Sequence, residues 1–327
     1  MSHLSALYGK QQAPNMKPRI LQKGAYMPAL DTALTQEFDV HQLWRETDQD
    51  AFLAKHGSEF VGLATSARWG ADAALIARLP NLKVISSFGV GYDTIDIAAA
   101  SARSIPVGNT PDVLNDCVAD IAFGLLINVA RGLSASERFL RRGDWMRGPF
   151  ALQTRVSGKR LGILGLGRIG RAIAKRASGF DMDVRYHNRR RVDDVGFTYE
   201  PSLIELARWA DFLVLASSGG AETRHLVSAE VIAALGSNGF LINIARGSIV
   251  DETALVAALV NKKIAGAALD VFDNEPNVPD ALLTLDNVVL LPHIASGTNE
   301  TRRAMADLTL ANLRSFFDSG KLLTPVF

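Results

Sequence analysis

The sequence predicts an α/β protein built from two doubly wound parallel sheets with a cleft between them. Three observations carry that prediction. Short apolar runs of strand length alternate with helical patterns from Ile20 onward, the rhythm of strands crossed by helices rather than of a sandwich or a bundle. The later runs, "FLVLAS" (212–217), "FLINIA" (240–245), "GAALDVF" (266–272) and "VVLLPH" (288–293), are apolar nearly throughout, as strands covered on both faces must be. A G-x-G-x-x-G turn made by Gly165, Gly167 and Gly170 stands between a strand-like run and a helical one, the arrangement that opens a parallel βαβ unit.

Taken in order, residues 1 to 15 form a polar, loosely held lead-in, because the first strand-like run, "RILQKG", comes only after Met16 and Lys17. "FVGLAT" (60–65) and "LKVISSFG" (82–89) read as strands. Between them "GADAALIARLP" sets Leu75, Ile76 and Leu79 at helical spacing and stops at Pro80. "IPVGNTPDVL" gives a short strand and a proline-marked turn. From there "DCVADIAFGLLINVARGLSASERFLRRGDW" reads as one long helix, apolar around much of its girth and so expected between domains or against a partner chain.

A second region opens at "SGKRLGILGLGRIG" (157–170). Two of its connecting helices have clear ends: "SAEVIAALG", with Ser228 as cap and Gly236 as stop, and "DETALVAALVNKK", capped by Asp251 and ending in lysines that suit the negative helix end. The last helix, "NETRRAMADLTLANLRSFFDSG", is expected to return to the first domain. The expected domains are therefore residues 1–112 with 299–327, and residues 113–298.

Composition narrows the function classes. A chain of 327 residues with 48% hydrophobic content can bury a substantial core in each of two domains. Its formal charge of +1 provides no global field for nucleic acid or an anionic membrane, and no run approaches the roughly 18 apolar residues of a membrane span. Cys117 is the single cysteine, which excludes a disulfide framework and a thiolate metal cluster and fits the cytoplasm. No metal site is expected.

The glycine turn points to a dinucleotide. Gly165 and Gly167 let the backbone turn and approach a pyrophosphate, which the positive helix end stabilises, and Gly170 allows close helix–strand packing. The next strand, "DVRYHN", ends at Asn188, where an NAD site places an acid to accept from the ribose hydroxyls. Here the sequence runs Asn188, Arg189, Arg190, Arg191. An acid would repel a 2′-phosphate, whereas arginine binds one with charge-assisted hydrogen bonds. The expected cofactor is therefore NADP, NADPH being preferred over NADH, with Arg189 and Arg190 on the phosphate and adenine; the alternative for these arginines is plain solvation at a strand end.

Three polar residues stand just past the ends of three apolar runs: Arg246 after "FLINIA", Glu275 after "ALDVF" and His293 after "VVLLP". In an open parallel sheet those ends line one crevice, on the edge where the glycine turn lies. Each residue alone has an ordinary structural explanation; the shared edge makes them a catalytic constellation.

"GILGLGRIG", "NIARGSIVDETAL", "GAALDVFDNEP" and "LLPHIASGTNETR" together resemble the motif set of the D-2-hydroxyacid dehydrogenases, and the resemblance runs over nearly the whole chain. "SSFGVGYD", "NTPDVLNDCVADIAFGL" and "LLTPV" are most similar to the glyoxylate/hydroxypyruvate reductase and hydroxyphenylpyruvate reductase branch. The resemblance implies a Rossmann-like NADP-binding domain and a flavodoxin-like substrate-binding domain, paired as a homodimer. It implies that Arg246 grips the carboxylate and carbonyl oxygen of a 2-oxo acid, that His293 donates a proton to that oxygen, and that Glu275 holds the imidazole. On the cofactor side it implies Leu166, Arg168 and Ile169 with the three turn glycines, Asn188, Ala245, and Asp270 near the nicotinamide amide. Val90 and Gly91 would offer N–H groups to the substrate carboxylate. Arg68 or Trp69 faces the substrate side chain or the core, and Trp145 and Phe150 reach a partner's site or pack an interface. The rival from another class is a nicotinamide-sensing, peptide-binding corepressor on the same fold, which would favour NAD and a long disordered tail.

Overall fold

A computed structural model describes residues 17–327, so the lead-in expected over residues 1–15 lies outside the described residues. The chain divides into two compact units: residues up to Phe88 with Thr94–Asn109 and Ala306–Phe327, and Gly89–Asp93 with Thr110–Met305.

The first unit is a five-stranded parallel sheet of β1 (Arg19–Gln22), β2 (Asp39–Gln42), β3 (Gly62–Ser66), β4 (Val84–Phe88) and β5 (Val107–Gly108), in the order β2-β1-β3-β4-β5. Alternation sends Leu21, Leu63 and Ile85 to one face, where they meet Phe60, Ile76 and Leu79. Ile20, Ala64 and Val84 go to the other, under Leu30 and Leu34 and under Leu310 and Leu313 of the last helix. The edge strand β2 is only half-buried and reads "DVHQ", so it lacks the apolar run by which its neighbours are legible in the sequence.

The second unit has seven parallel strands: β6 (Arg160–Leu164), β7 (Asp183–His187), β8 (Thr198–Tyr199), β9 (Phe212–Leu215), β10 (Phe240–Asn243), β11 (Gly266–Leu269) and β12 (Val288–Leu290). Their order is β12-β11-β10-β9-β6-β7-β8. Chain direction across the sheet reverses at β6, which has β7 on one side and β9 on the other, and such a switch point leaves a crevice at the carboxyl ends. Register aligns those ends: His187, Leu164, Leu215, Asn243, Leu269 and Leu290 form one row.

Three local expectations need correction. The single long helix is two, Asn115–Arg131 and Leu133–Arg141, bent by 57°. Gly132 makes the corner with φ +59°, its N–H returning to Asn128 O, while the Asn128 side chain clamps Ser134 through two hydrogen bonds of 2.8 and 2.9 Å. Ser228 precedes the helix Ala229–Leu235 in extended backbone, but its side chain caps no N–H among the described residues. The helix Glu252–Val260 stops before Lys262 and Lys263, although Asp251 does cap it, accepting from Ala254 N at 3.0 Å. Among the described residues no single helix is long and apolar enough to cross a membrane.

The corner at Gly132 is testable. A Cβ there would lie 2.9 Å from Gln153 Oε1 and 3.3 Å from Phe150 Cε1, on backbone that an L side chain adopts at a cost of about 1–2 kcal/mol. Gly132→Ala is expected to lower the free energy of urea unfolding by about that amount; an unchanged or higher stability would show that the left-handed corner does not require glycine.

Candidate active site

The aligned carboxyl ends deliver the chemistry-bearing residues. Gly165 follows Leu164, Asn188 follows His187, Asp270 follows Leu269, and Arg246 and His293 come three residues after Asn243 and Leu290.

At β6 the turn is fixed from within. Gly165 has φ +100°, and a Cβ on it would lie 2.5 Å from Ser217 N; a Cβ on Gly170 would lie 2.1 Å from Gly165 O. Gly167 differs: no heavy atom among the described residues lies within 4 Å of a Cβ built there, and it opens the helix Arg168–Ala177. That open flank, beside the N–H groups of a helix start, is a cradle for phosphate. Ser217 Oγ, on the same edge, is buried without a hydrogen-bond partner among the described residues. A dinucleotide fits this turn.

Beyond β7, Asn188 Oδ1 accepts from Leu166 N at 2.6 Å and Tyr199 O–H donates to Asn188 O at 3.1 Å. Asn188 thus ties the two strand ends together. Arg189 is exposed and pairs with Glu222, and Arg190 and Arg191 are exposed beside it. Arg168 turns to Asp112 at 2.9 Å, Leu166 is buried, and Ile169 is half-buried.

Glu275 and His293 meet past the ends of β11 and β12. Glu275 Oε2 and His293 Nδ1 are 2.7 Å apart, and Glu275 Oε1 accepts from Phe272 N at 3.2 Å. His293 takes φ +54°, and the following N–H groups, of Ile294 and Ala295, donate to the two carboxylate oxygens of Asp270 at 2.7 and 2.8 Å. Asp270 is fully buried. Burial pushes its carboxyl above the usual range, against the two N–H donors and the His293 charge, with Glu275 adding to the rise. Burial also pushes Glu275 upward, but the His293 hydrogen bond and charge, the Phe272 N–H and the Arg246 charge outweigh it and hold that carboxyl below the usual range.

Arg246 sits on a turn braced by buried Asn243, whose Nδ2 donates to Arg246 O at 2.9 Å and whose Oδ1 accepts from Ala245 N at 3.0 Å. Its guanidinium pairs with Asp93, Nε lying 3.1 Å from both carboxylate oxygens and Nη2 3.0 Å from Oδ1. The segment Gly89–Asp93, with Val90 and Gly91, clusters with this unit. A Cβ on Gly91 would fall 1.5 Å from Arg246 Nη2, so only glycine admits the guanidinium there.

Arg68 and Trp69 belong to the first unit, where the Arg68 guanidinium lies 5.0 Å over the Trp69 ring and that ring packs on Gly24. Trp145 is exposed, and Phe150 packs edge-on against Phe139 at 5.4 Å. Sequence reasoning missed Asp93, Asn243 and Glu222. Asp93 lies in the quoted "SSFGVGYD", but no spacing rule links it to a residue 153 positions away.

Residues 123–295 match the family model described as D-isomer specific 2-hydroxyacid dehydrogenase, NAD binding domain. The chain is 47% identical over 297 residues to glyoxylate/hydroxypyruvate reductase A of Arabidopsis thaliana, covering 91% of this chain and 95% of that protein. It is equally similar, 47% over 297 residues with the same coverage, to hydroxyphenylpyruvate reductase of Plectranthus scutellarioides. Among solved structures, the NADPH-dependent glyoxylate/hydroxypyruvate reductase of Sinorhizobium meliloti, in complex with NADP and malonate, superposes with a TM-score of 0.87 at 45% identity, covering 95% of this chain and 97% of that one.

The Glu275–His293 contact makes a prediction about acid stability. Because the folded carboxyl titrates below its unfolded value of about 4.3, the pair contributes stability that is fully present above that value and is lost as pH falls through the lowered folded value. Glu275→Gln is therefore expected to be less stable than the parent at pH 7 in denaturant titrations. The gap should close in acid; a gap independent of pH would show that the carboxylate charge is not involved.

Proposed function

The chain belongs to the D-isomer specific 2-hydroxyacid dehydrogenase family, and from that premise we propose that it reduces glyoxylate, hydroxypyruvate or an aryl pyruvate to the D-2-hydroxy acid with NADPH. The observation that carries this reading is the meeting of a Glu275–His293 pair and a clamped Arg246 on the sheet edge that also holds the glycine turn.

In this reading Gly165–Gly170, with Leu166, Arg168 and Ile169 in the turn, hold the pyrophosphate on backbone N–H groups at the helix start. Asn188, Arg189 and Arg190 take the 2′-phosphate, Arg189 exchanging Glu222 for it. Ala245 and Asp270 face the nicotinamide; the Asp270 oxygens each keep a lone pair beyond those given to Ile294 and Ala295. NADPH, when bound, supplies the hydride. Arg246 binds the carboxylate and the carbonyl oxygen of the 2-oxo acid, and Val90 and Gly91 add N–H donors to the carboxylate. As charge grows on the carbonyl oxygen, the guanidinium stabilises it. His293, its Nδ1 engaged by Glu275, delivers a proton from Nε2 to that oxygen, giving the hydroxyl.

The functional unit in this reading is a homodimer. Its support is the run of exposed apolar side chains Leu133, Leu140, Trp145, Met146 and Leu152, more than an isolated chain ordinarily leaves in water over so short a stretch. Light scattering should return twice the 35.3 kDa chain mass; a monomer at micromolar concentration would remove the dimer from the proposal.

The principal test is initial rates of hydroxypyruvate reduction with NADPH and NADH side by side, for the parent and for Arg246→Ala. The parent should prefer NADPH by about tenfold or more, the worth of one charge-assisted phosphate contact. Arg246→Ala should lose on the order of 100- to 1,000-fold in kcat/KM. Preference for NADH would overturn the phosphate pocket, and a near-normal rate for the variant would remove Arg246 from the chemistry.

A further inference from the structure

We infer that Asp93 is a positioning residue for the reaction, holding the guanidinium of Arg246 by its side so that its tip is presented to the 2-oxo acid; the inference rests on the function proposed above. A guanidinium carries five N–H donors and no acceptor. Nε donates to both carboxylate oxygens of Asp93 at 3.1 Å, Nη2 lies 3.0 Å from Oδ1 in the same ion pair, and one N–H of Nη1 donates to Ala245 O at 2.7 Å. These contacts leave at least one N–H on Nη1 and one on Nη2. Donors left on the two outer nitrogens can serve two oxygens of one small acid.

The surroundings bear out this division of labour. The Asp93 and Arg246 side chains are 16% and 24% exposed, so the ion pair is screened far less than a surface one and its geometry is held more firmly. Two glycines close on it. A Cβ on Gly219 would lie 2.8 Å from Arg246 Cγ and 3.0 Å from Asp93 Oδ2, and one on Gly91 would lie 1.5 Å from Arg246 Nη2. Both positions therefore need to be bare for the pair to form. Gly91 at the same time brings the backbone of its loop against the guanidinium. An unrestrained arginine would spend much of its rotamer freedom elsewhere; Asp93, Ala245 O and the two glycines confine this one before substrate arrives, which is pre-organisation rather than added affinity.

A second consequence separates a positioner from a competitor. If Asp93 merely occupied Arg246 until substrate displaced it, removing the carboxylate would strengthen substrate binding and leave kcat intact. A positioner predicts that kcat falls.

The test is a double-mutant cycle on hydroxypyruvate reduction with NADPH, using the parent, Asp93→Ala, Asp93→Asn, Arg246→Ala and the Asp93→Ala/Arg246→Ala pair. NADPH affinity is titrated for each by fluorescence to certify the fold. The expected result is a loss of about 10- to 100-fold in kcat for Asp93→Ala, the scale of a misplaced catalytic group. Asp93→Asn, which keeps an acceptor for Nε, should recover part of that loss. Asp93→Ala should cost nothing further once Arg246 is alanine. Additive losses would overturn the inference, since a residue acting through the loop alone would harm both backgrounds equally, and so would a lower KM at unchanged kcat. Should Asp93→Ala fail to bind NADPH, Asp93→Asn and its pairing with Arg246→Ala carry the same comparison. A parent enzyme that binds NADPH but reduces neither hydroxypyruvate nor glyoxylate would overturn the proposed function and this inference with it, whereas an active parent with additive variants overturns the inference alone.

Discussion

The register of the second sheet is the constraint on which the site depends. Parallel ladders join β6 to β7 and β9, β9 to β10, β10 to β11 and β11 to β12, each over at least three residue pairs. Side chains alternate with a period of two, so a slip of one residue in any strand would send each side chain to the opposite covered face, and the packing of Leu213, Leu241 and Ala267 against their covering helices opposes that slip. The row of strand ends is thereby fixed, and everything beyond it is built in short, braced turns. Asn243 braces the turn to Arg246 by accepting from Ala245 and donating to the Arg246 carbonyl. Asp270 braces the segment after His293 from the end of the neighbouring strand. A buried carboxylate is costly unless its oxygens are hydrogen-bonded, and the two N–H donors that offset the cost are those that set the backbone of His293.

Two carboxyl groups on that edge are driven in opposite directions, and the contrast follows from what each touches. Asp270 is fully buried and meets only backbone N–H groups directly, so desolvation prevails and its carboxyl rises. Glu275 is exposed along part of its side chain and in contact with His293, so the hydrogen bond and the nearby positive charges prevail and its carboxyl falls. An ionised Glu275 keeps Nδ1 of His293 occupied and leaves Nε2 as the nitrogen that can serve a reacting oxygen.

How much of this was legible in the sequence varied with the range of the interaction. The parallel strands of the second sheet stood out because both faces are covered, which leaves apolar runs such as "FLVL" and "FLIN" with no polar interruption. The glycine turn, Arg246, Glu275 and His293 were legible because each lies a few residues past such a run. Strand β2 and the two-residue β8 were not, since an exposed edge needs no apolar pattern. The corner at Gly132 was hidden by the apolar residues that continue across it; only its backbone and the Asn128 clamp reveal the break. Least legible of all were the pairings between distant segments. Glu222 meets Arg189 and Asp93 meets Arg246 through chain folding alone, and charge in a sequence does not name its partner.

The glycines of the site show how fold and ligand can be told apart. Gly165 is required by its positive φ and by Ser217, Gly170 by Gly165 O, and Gly91 and Gly219 by the Arg246–Asp93 pair; each is explained by atoms of the chain itself. Gly167 has φ −83° and open space where a Cβ would stand, so neither backbone conformation nor packing demands it. Openness alone decides little, because Gly148, Gly179 and Gly196 are equally open. Gly167 differs from them by place: it starts a helix at the switch point of the sheet, where N–H groups aim outward and Ser217 Oγ waits without a partner among the described residues. A side chain there would fill the approach to those N–H groups. The pyrophosphate proposed for this turn accounts for the bare position that the chain's own atoms leave unexplained.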